Sequence, residues 1–289
     1  MNLFESIIMG FIQGVAEFLP ISSSGHLAIF KHFFGLKDVG IAFDVLLHLG
    51  TLIAVFIAFF NDIKELFVNG FGIVIDSLKN VGIFVKNKIK KESTNYHKVI
   101  STPYRRFAMM IIITTIPTGI MGILFDDVIE NASKAIIIPG ICLLITGVLL
   151  LIADLTHEGK KDENTVTYKN AFGIGVCQGI ATLPGISRSG MTIVACLVSK
   201  MDRNFAVKYS FIMSIPVILG AAILKIKDLG QENLSGSDIT NYAVGMLVAA
   251  VVGYICIKTM LKVVRQKKYK YFAYYCFIMG AVCIIGFFC

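Results

Sequence analysis

Six stretches of this chain, at about 41–60, 107–125, 135–153, 207–225, 241–261 and 270–288, run for close to 20 residues with almost no charge. A helix rises about 1.5 Å per residue and the hydrocarbon core of a bilayer is about 30 Å thick, so each stretch is long enough for one crossing. In lipid a backbone must satisfy its own hydrogen bonds, and an apolar run without alternation does so as a helix. The chain is therefore read as an all-α polytopic membrane protein. Composition agrees, since only 16% of its residues are charged against about 25% in soluble domains.

The net charge of +8 is unevenly spread. Lysine and arginine crowd 61–106, 154–169, 200–206 and 262–270, whereas 126–134 and 226–240 are mostly acidic or neutral. That alternation is the positive-inside bias of a membrane protein, with the basic side cytoplasmic, and it argues against nucleic acid as a partner. The seven cysteines lie in or beside apolar segments, without a CxxC pair or metal-type spacing to histidine, and read as small apolar residues. The N-terminal stretch carries Glu5 and Glu17 and no basic start, unlike a removable signal. Segment 66–91 is moderately apolar but holds Asn69, Asp76 and lysines at 79, 86, 88, 90 and 91. It is expected to lie on the cytoplasmic interface as an amphipathic helix, not to span.

Two further apolar segments, 3–34 and 170–200, are interrupted. The first contains Pro20 and Ser22-Ser23-Ser24-Gly25; the second contains Pro184-Gly185 and Ser187-Arg188-Ser189-Gly190. Each arm is too short to cross, so each segment is expected to be a re-entrant helical hairpin with its tip inside the protein. A shift of 165 positions superposes Gln13-Gly14 on Gln178-Gly179, Ala16 on Ala181, Ile21-Ser22 on Ile186-Ser187, and Ser24-Gly25 on Ser189-Gly190. The chain thus divides into repeats 1–153 and 154–289, each a hairpin followed by three spans. A hairpin returns to its own side and three spans cross, so the second repeat is expected upside down. This is an inverted-topology repeat with hairpin tips meeting near the midplane and both termini outside.

Glu17 follows Gln13 by one helical turn, on the same face. A carboxylate at membrane depth costs about 2.5–3.5 kcal/mol on insertion scales, and Arg188 is the matching intramembrane cation. The two either form a buried ion pair joining the hairpins or belong to a site. Ser22 and Ser187 stand where each outgoing half-helix needs an N-cap. Two helix N-termini, Arg188 and the hydroxyls of Ser23, Ser24, Ser189 and Thr192 would form an anion cradle suited to phosphate. Gly25 and Gly190 would allow the close backbone approach. Serine-rich turns also serve simply as packing devices, which is the competing reading. His26 adds a proton-exchanging group three residues after Ser23; His32, His97 and His157 read as structural, and His48, inside a span, is open. Cradle, carboxylate, histidine and hydroxyl together fit hydrolysis of a phosphoanhydride.

At these residues a family resemblance becomes specific. GFIQGVAEFLPISSSGHL (Gly10–Leu27) resembles the (E/Q)xxxE segment and following serine-glycine-histidine of bacterial undecaprenyl-diphosphatases, the bacitracin-resistance proteins. PGISRSGMT (Pro184–Thr192) resembles their PGxSRSxxT motif, and the likeness covers essentially the whole chain. It implies a bacterial plasma-membrane hydrolase that removes the terminal phosphate of undecaprenyl diphosphate and recycles the lipid carrier of peptidoglycan synthesis. It further implies help from a divalent cation (Mg or Ca) and a site open to the outer face. Carried over, the site holds Gln13, Glu17, Ser23, His26, Ser187, Arg188 and Thr192, with Gln13 and Glu17 on the cation. Many relatives have glutamate where Gln13 stands. An amide can ligate through its carbonyl but cannot act as a base, which leaves most of that role to Glu17.

The expected partners are the polyprenyl diphosphate, membrane lipids and a second copy of the chain. A lipid-phosphate transporter or flippase on the same inverted repeat is the alternative. The carboxylate, serine and histidine beside the cradle favour chemistry, because translocation needs no nucleophile. Ser24-Gly25-His26 also resembles the PSGH motif of the phosphatidic-acid-phosphatase type 2 superfamily, but the histidine required after Ser187-Arg188 falls on Val194, so that reading fails.

Overall fold

Every long apolar run is helical in the computed structural model, which describes residues 1–33, 35, 40–91, 93–134, 137–229 and 235–288. The helices are α1 (Leu3–Phe18), α2 (Ser23–Phe33), α3 (Ile41–Ala58), α4 (Phe60–Lys90), α5 (Pro103–Leu124) and α6 (Asp126–Lys134). They continue with α7 (Ile137–Leu155), α8 (Tyr168–Ile180), α9 (Arg188–Val198), α10 (Arg203–Leu229), α11 (Gly236–Arg265) and α12 (Tyr269–Phe288). Phe34, the first two residues of the 135–153 run, 230–234 within the 226–240 connection, and Cys289 lie outside the described residues.

The two broken segments each form two short helices, α1 with α2 and α8 with α9. Their N-termini use one device at positions 165 apart. Asn2 caps α1 in a capping box with Glu5, and Thr167 caps α8 in a capping box with Asn170. The packing of the incoming arms is reciprocal as well, with α1 lying along α11 and α8 along α5. The contact of α5 with α8 is close. Thr114 donates to the carbonyl of Ala171 at 3.1 Å and Thr118 to that of Gly175 at 2.8 Å. A Cβ on Gly175 would stand 2.2 Å from the Thr114 carbonyl oxygen. Lipid tails are as apolar as leucine and do not drive helices together, so small residues and threonine bridges hold such contacts. The perimeter is apolar in turn, as Ile112, Ile116, Ile120 and Ile123 of α5 are all exposed.

One expectation is revised in number. Among the described residues seven helices, not six, are long and apolar enough to cross a membrane, and the additional one is α4. Only Phe59 separates it from α3, and it runs for 31 residues. Its lysines obscured the run, yet from 66 to 85 the only charges are Asp76 and Lys79. Its polar side chains recur along one side and are taken up by the returning chain. Asn87 pairs with the Thr94 backbone at 2.9 and 3.1 Å, and Asn80 with that of His97 at 2.8 and 2.7 Å. Asp76 accepts from Arg105 at 2.6 Å, and Asn69 accepts from Thr102 at 2.8 Å. This strap delivers the chain to α5 beside the start of α4, where Tyr104 and Lys208 both donate to Asp62 at 3.1 and 3.0 Å. The excursion therefore ends where it began, and α5 starts at the end of the bundle where α3 stops.

Candidate active site

The hairpin tips meet. A Cβ on Gly25 would stand 3.3 Å from the Gly185 Cα, and one on Gly190 would stand 3.2 Å from the Pro20 Cβ, so each glycine faces the opposite tip. The outgoing helices α2 and α9 are capped alike. The Ser22 hydroxyl accepts from the Gly25 N–H at 3.3 Å and lies 3.4 Å from the Ser24 hydroxyl. The Ser187 hydroxyl accepts from the Gly190 N–H at 3.1 Å and lies 3.3 Å from the Ser189 hydroxyl. A bond from the Gly185 N–H to the Ser24 hydroxyl, 3.3 Å, ties one tip to the other. The turns themselves differ. The left-handed residue is Ser22 in the first hairpin (φ 69°) and Gly185 in the second (φ 94°). A non-glycine residue in that region is strained by about 1–3 kcal/mol unless its surroundings hold it. Here His26 donates to the Ser22 carbonyl from both its backbone N–H (3.2 Å) and its ring Nδ1 (2.8 Å).

Glu17, at the end of α1 and 6% exposed, is the hub. Its Oε1 accepts from Arg188, the first residue of α9. Its Oε2 accepts from the Ser23 hydroxyl at 2.6 Å and from the Gln13 amide at 3.1 Å. The Ser23 bond is as short as charge-assisted O–H···O⁻ bonds become. Ser23 is the first residue of α2, so the starts of α2 and α9 converge on one carboxylate, and the Glu17–Arg188 pair is formed with hydroxyl and amide donors around it. Beside it lies a small cleft lined by Glu17, Phe18, Arg188, Ser189, Thr192, Ser210, Phe211 and Ser214. Thr192 reaches into it, 2.6 Å from the Ser210 hydroxyl. Phe18 and Phe211 meet edge to face at 5.2 Å beside these hydroxyls.

The His26 ring bonds partners outside this cluster, the Ser22 carbonyl and Tyr275. Its Nε2 lies 2.7 Å from the Tyr275 hydroxyl of α12, and the two rings stack at 5.5 Å. Since the Ser22 carbonyl only accepts, Nδ1 carries the hydrogen and Nε2 receives the Tyr275 O–H. His48 of α3, left open by the sequence, comes to the hub: its Nε2 is 3.9 Å from Glu17 Oε2. Sequence reasoning also missed Ser210, Ser214 and Tyr275. They lie on unbroken spans far from either motif, and no local pattern distinguishes them from packing residues.

A divalent cation fits the residues present. Gln13 is fully buried and its Oε1 has no hydrogen-bond partner, which is an oxygen ligand left over beside a carboxylate. Gln178, its counterpart, also has an orphan Oε1, but its amide donates to Thr118 at 3.1 Å and no carboxylate stands beside it, because Thr182 occupies the position equivalent to Glu17. The pair Gln13 and Glu17 is therefore the one suited to a cation.

Compared with known proteins, the chain matches a family described as bacitracin resistance protein BacA over residues 6–282. It is 41% identical to a protein named undecaprenyl-diphosphatase from Methanosphaera stadtmanae, with 99% of this chain and 98% of that one covered. Proteins of the same name from Alkaliphilus metalliredigens and Halothermothrix orenii are 37% and 39% identical, with the same shares covered.

Proposed function

Because the chain belongs to the bacitracin resistance protein BacA family, we propose that it hydrolyses undecaprenyl diphosphate to undecaprenyl phosphate and inorganic phosphate within the membrane. The observation that carries this reading is the Ser23 hydroxyl 2.6 Å from Glu17 Oε2 while Arg188 holds the other oxygen, with Glu17 and Arg188 both lining a cleft that Ser189, Thr192, Ser210 and Ser214 share.

In this reading the terminal phosphate enters the cleft. Arg188 shares its five donors between Glu17 and the phosphate oxygens. The first-turn N–H groups of α2 and α9 add the positive ends of two helices. Ser23 Oγ attacks phosphorus, its proton passes to Glu17 Oε2, and the P–O bond to undecaprenyl phosphate breaks. Water then attacks the phosphoserine, and Glu17 returns the proton to Ser23 as inorganic phosphate leaves. Gln13 and Glu17 would hold the divalent cation, which supplies charge neutralisation for the diphosphate. His26, with both ring nitrogens engaged, positions Ser22 and through it Ser23, and Tyr275 fixes the ring.

The finer placement is part of the same proposal. Two inverted repeats, with basic connections cytoplasmic, put both termini and the mouth of the cleft on the outer side. The strap that returns α4 to its starting end supports that parity. Recycling of the carrier, and resistance to bacitracin with it, follows from hydrolysis at that face. Turnover separates hydrolysis from the transporter alternative. Purified protein in detergent, where there are no compartments to transport between, is expected to release phosphate from a polyprenyl diphosphate. A chelator should stop the release and added cation restore it. Absence of release under every cation would sink the reading.

A further inference from the structure

Away from the hairpins, α4 is long and apolar enough to cross a bilayer, but the chain that returns along it is not suited to lipid. Among the described residues, 93–101 form no helix or strand and make no backbone-to-backbone hydrogen bond. Asn80 and Asn87 serve the backbone of His97 and Thr94, while Asn95, Tyr96 and Lys98 stay exposed. Irregular backbone with open polar groups does not stand in hydrocarbon. The strap therefore keeps the helix it lies along out of the bilayer core.

Water suits the other side of α4 no better. Of its residues Ile63 alone is buried. Opposite the asparagines that hold the strap, Phe67, Phe71, Val74, Leu78, Val85 and Ile89 form an exposed apolar stripe about 33 Å long at 1.5 Å per residue. An exposed apolar patch of that extent marks a surface that something covers. The stripe is flanked by positive charge. From 77 to 98 the sequence holds six lysines and one acid, and Lys79, Lys88, Lys90 and Lys91 are all exposed.

We propose that α4 lies along the membrane surface at the end of the bundle where α3 stops, with its stripe sunk among the lipid headgroups and its lysines held by anionic phospholipid. An apolar face with basic flanks and a polar back is the make-up of a helix that rests in the interface plane. Lysine stems reach along the apolar surface while their ammonium groups meet the phosphates. The start of α4 is already at that level, since only Phe59 separates it from the span α3. A second copy of the chain is a poorer occupant, because a face that pairs with itself sets lysine against lysine. With the basic connections cytoplasmic, as proposed above, the surface is that of the inner leaflet.

The chain has no tryptophan, so a single introduced tryptophan can report its own depth. Phe67→Trp, Leu78→Trp and Val85→Trp, each in the full chain, are reconstituted into phosphatidylcholine vesicles with or without phosphatidylglycerol. The lipids carry bromine either near the headgroup or near the chain end, and unfolding in detergent checks that each variant keeps the fold. All three tryptophans are expected to be quenched alike, and more strongly by bromine near the headgroup. Phosphatidylglycerol should increase the quenching. That increase should be lost at high salt, and lost again when Lys79, Lys88, Lys90 and Lys91 are all replaced by glutamine. A crossing helix would instead carry Leu78→Trp about 16 Å deeper than Phe67→Trp, and that outcome overturns the proposal. So does the absence of quenching at all three positions, which would mean that water or a second copy covers the stripe. Equal quenching with and without phosphatidylglycerol would overturn the recognition of anionic lipid.

Discussion

The two hairpins share a plan and differ in what each contributes. Both place an outgoing helix of 11 residues behind a serine cap, with a buried glutamine in the incoming arm. The position opening the outgoing helix is Ser23 in the first and Arg188 in the second, and both side chains reach Glu17. One duplicated position thus supplies the hydroxyl and the cation of a single site. Where the first arm has Glu17 the second has Thr182, which turns back onto the Gly179 carbonyl at 2.7 Å. Where the first helix has His26 the second has Met191. The duplicated frame brings two helix N-termini together, and divergence within it puts the carboxylate and the histidine in the first hairpin and the arginine in the second.

Substitutions can break or sharpen that division. The largest effect is expected from Glu17→Gln, which removes the carboxylate that accepts from Ser23 and Arg188 and that we propose holds the cation. Turnover should fall by about 10⁴-fold, the upper end of a general-base contribution, with the protein still inserted. Turnover at the wild-type rate would show that the first hairpin is not the chemical one. Ser23→Ala comes next, with an expected loss of at least ~10³-fold and no labelled phosphoenzyme on rapid quenching. Substantial residual turnover would instead mean that Glu17 activates water directly. Arg188→Lys, in the second hairpin, keeps the charge but loses the fork, and about 10²-fold is expected. If that variant turns over normally yet unfolds more readily in detergent, the arginine is a buried ion-pair partner and the second hairpin is only structural.

Much of this arrangement was legible before any coordinates. Capping serines, short arms and the offset of 165 pointed to two hairpins with converging N-termini, because those features are local. Glu17 and Arg188 stood out since ionised groups are costly in lipid. The role of His26 was less legible. Its spacing from Ser23 suggested a shared site, but a helical neighbour three residues away can equally turn to another span, and Tyr275 decides which.

By itself the sequence determined the membrane class, the duplicated hairpins and the residues at their tips, since each follows from run length, capping or the cost of buried charge. Only the tertiary structure decided that one carboxylate gathers Ser23, Gln13, Arg188 and His48, and that Ser210 and Ser214 line the cleft beside it. It also decided that α4 doubles back through its strap. These depend on which faces of distant helices pack together. In a membrane that is set by small-residue contacts and polar bridges between spans, which leave no periodic trace in the chain.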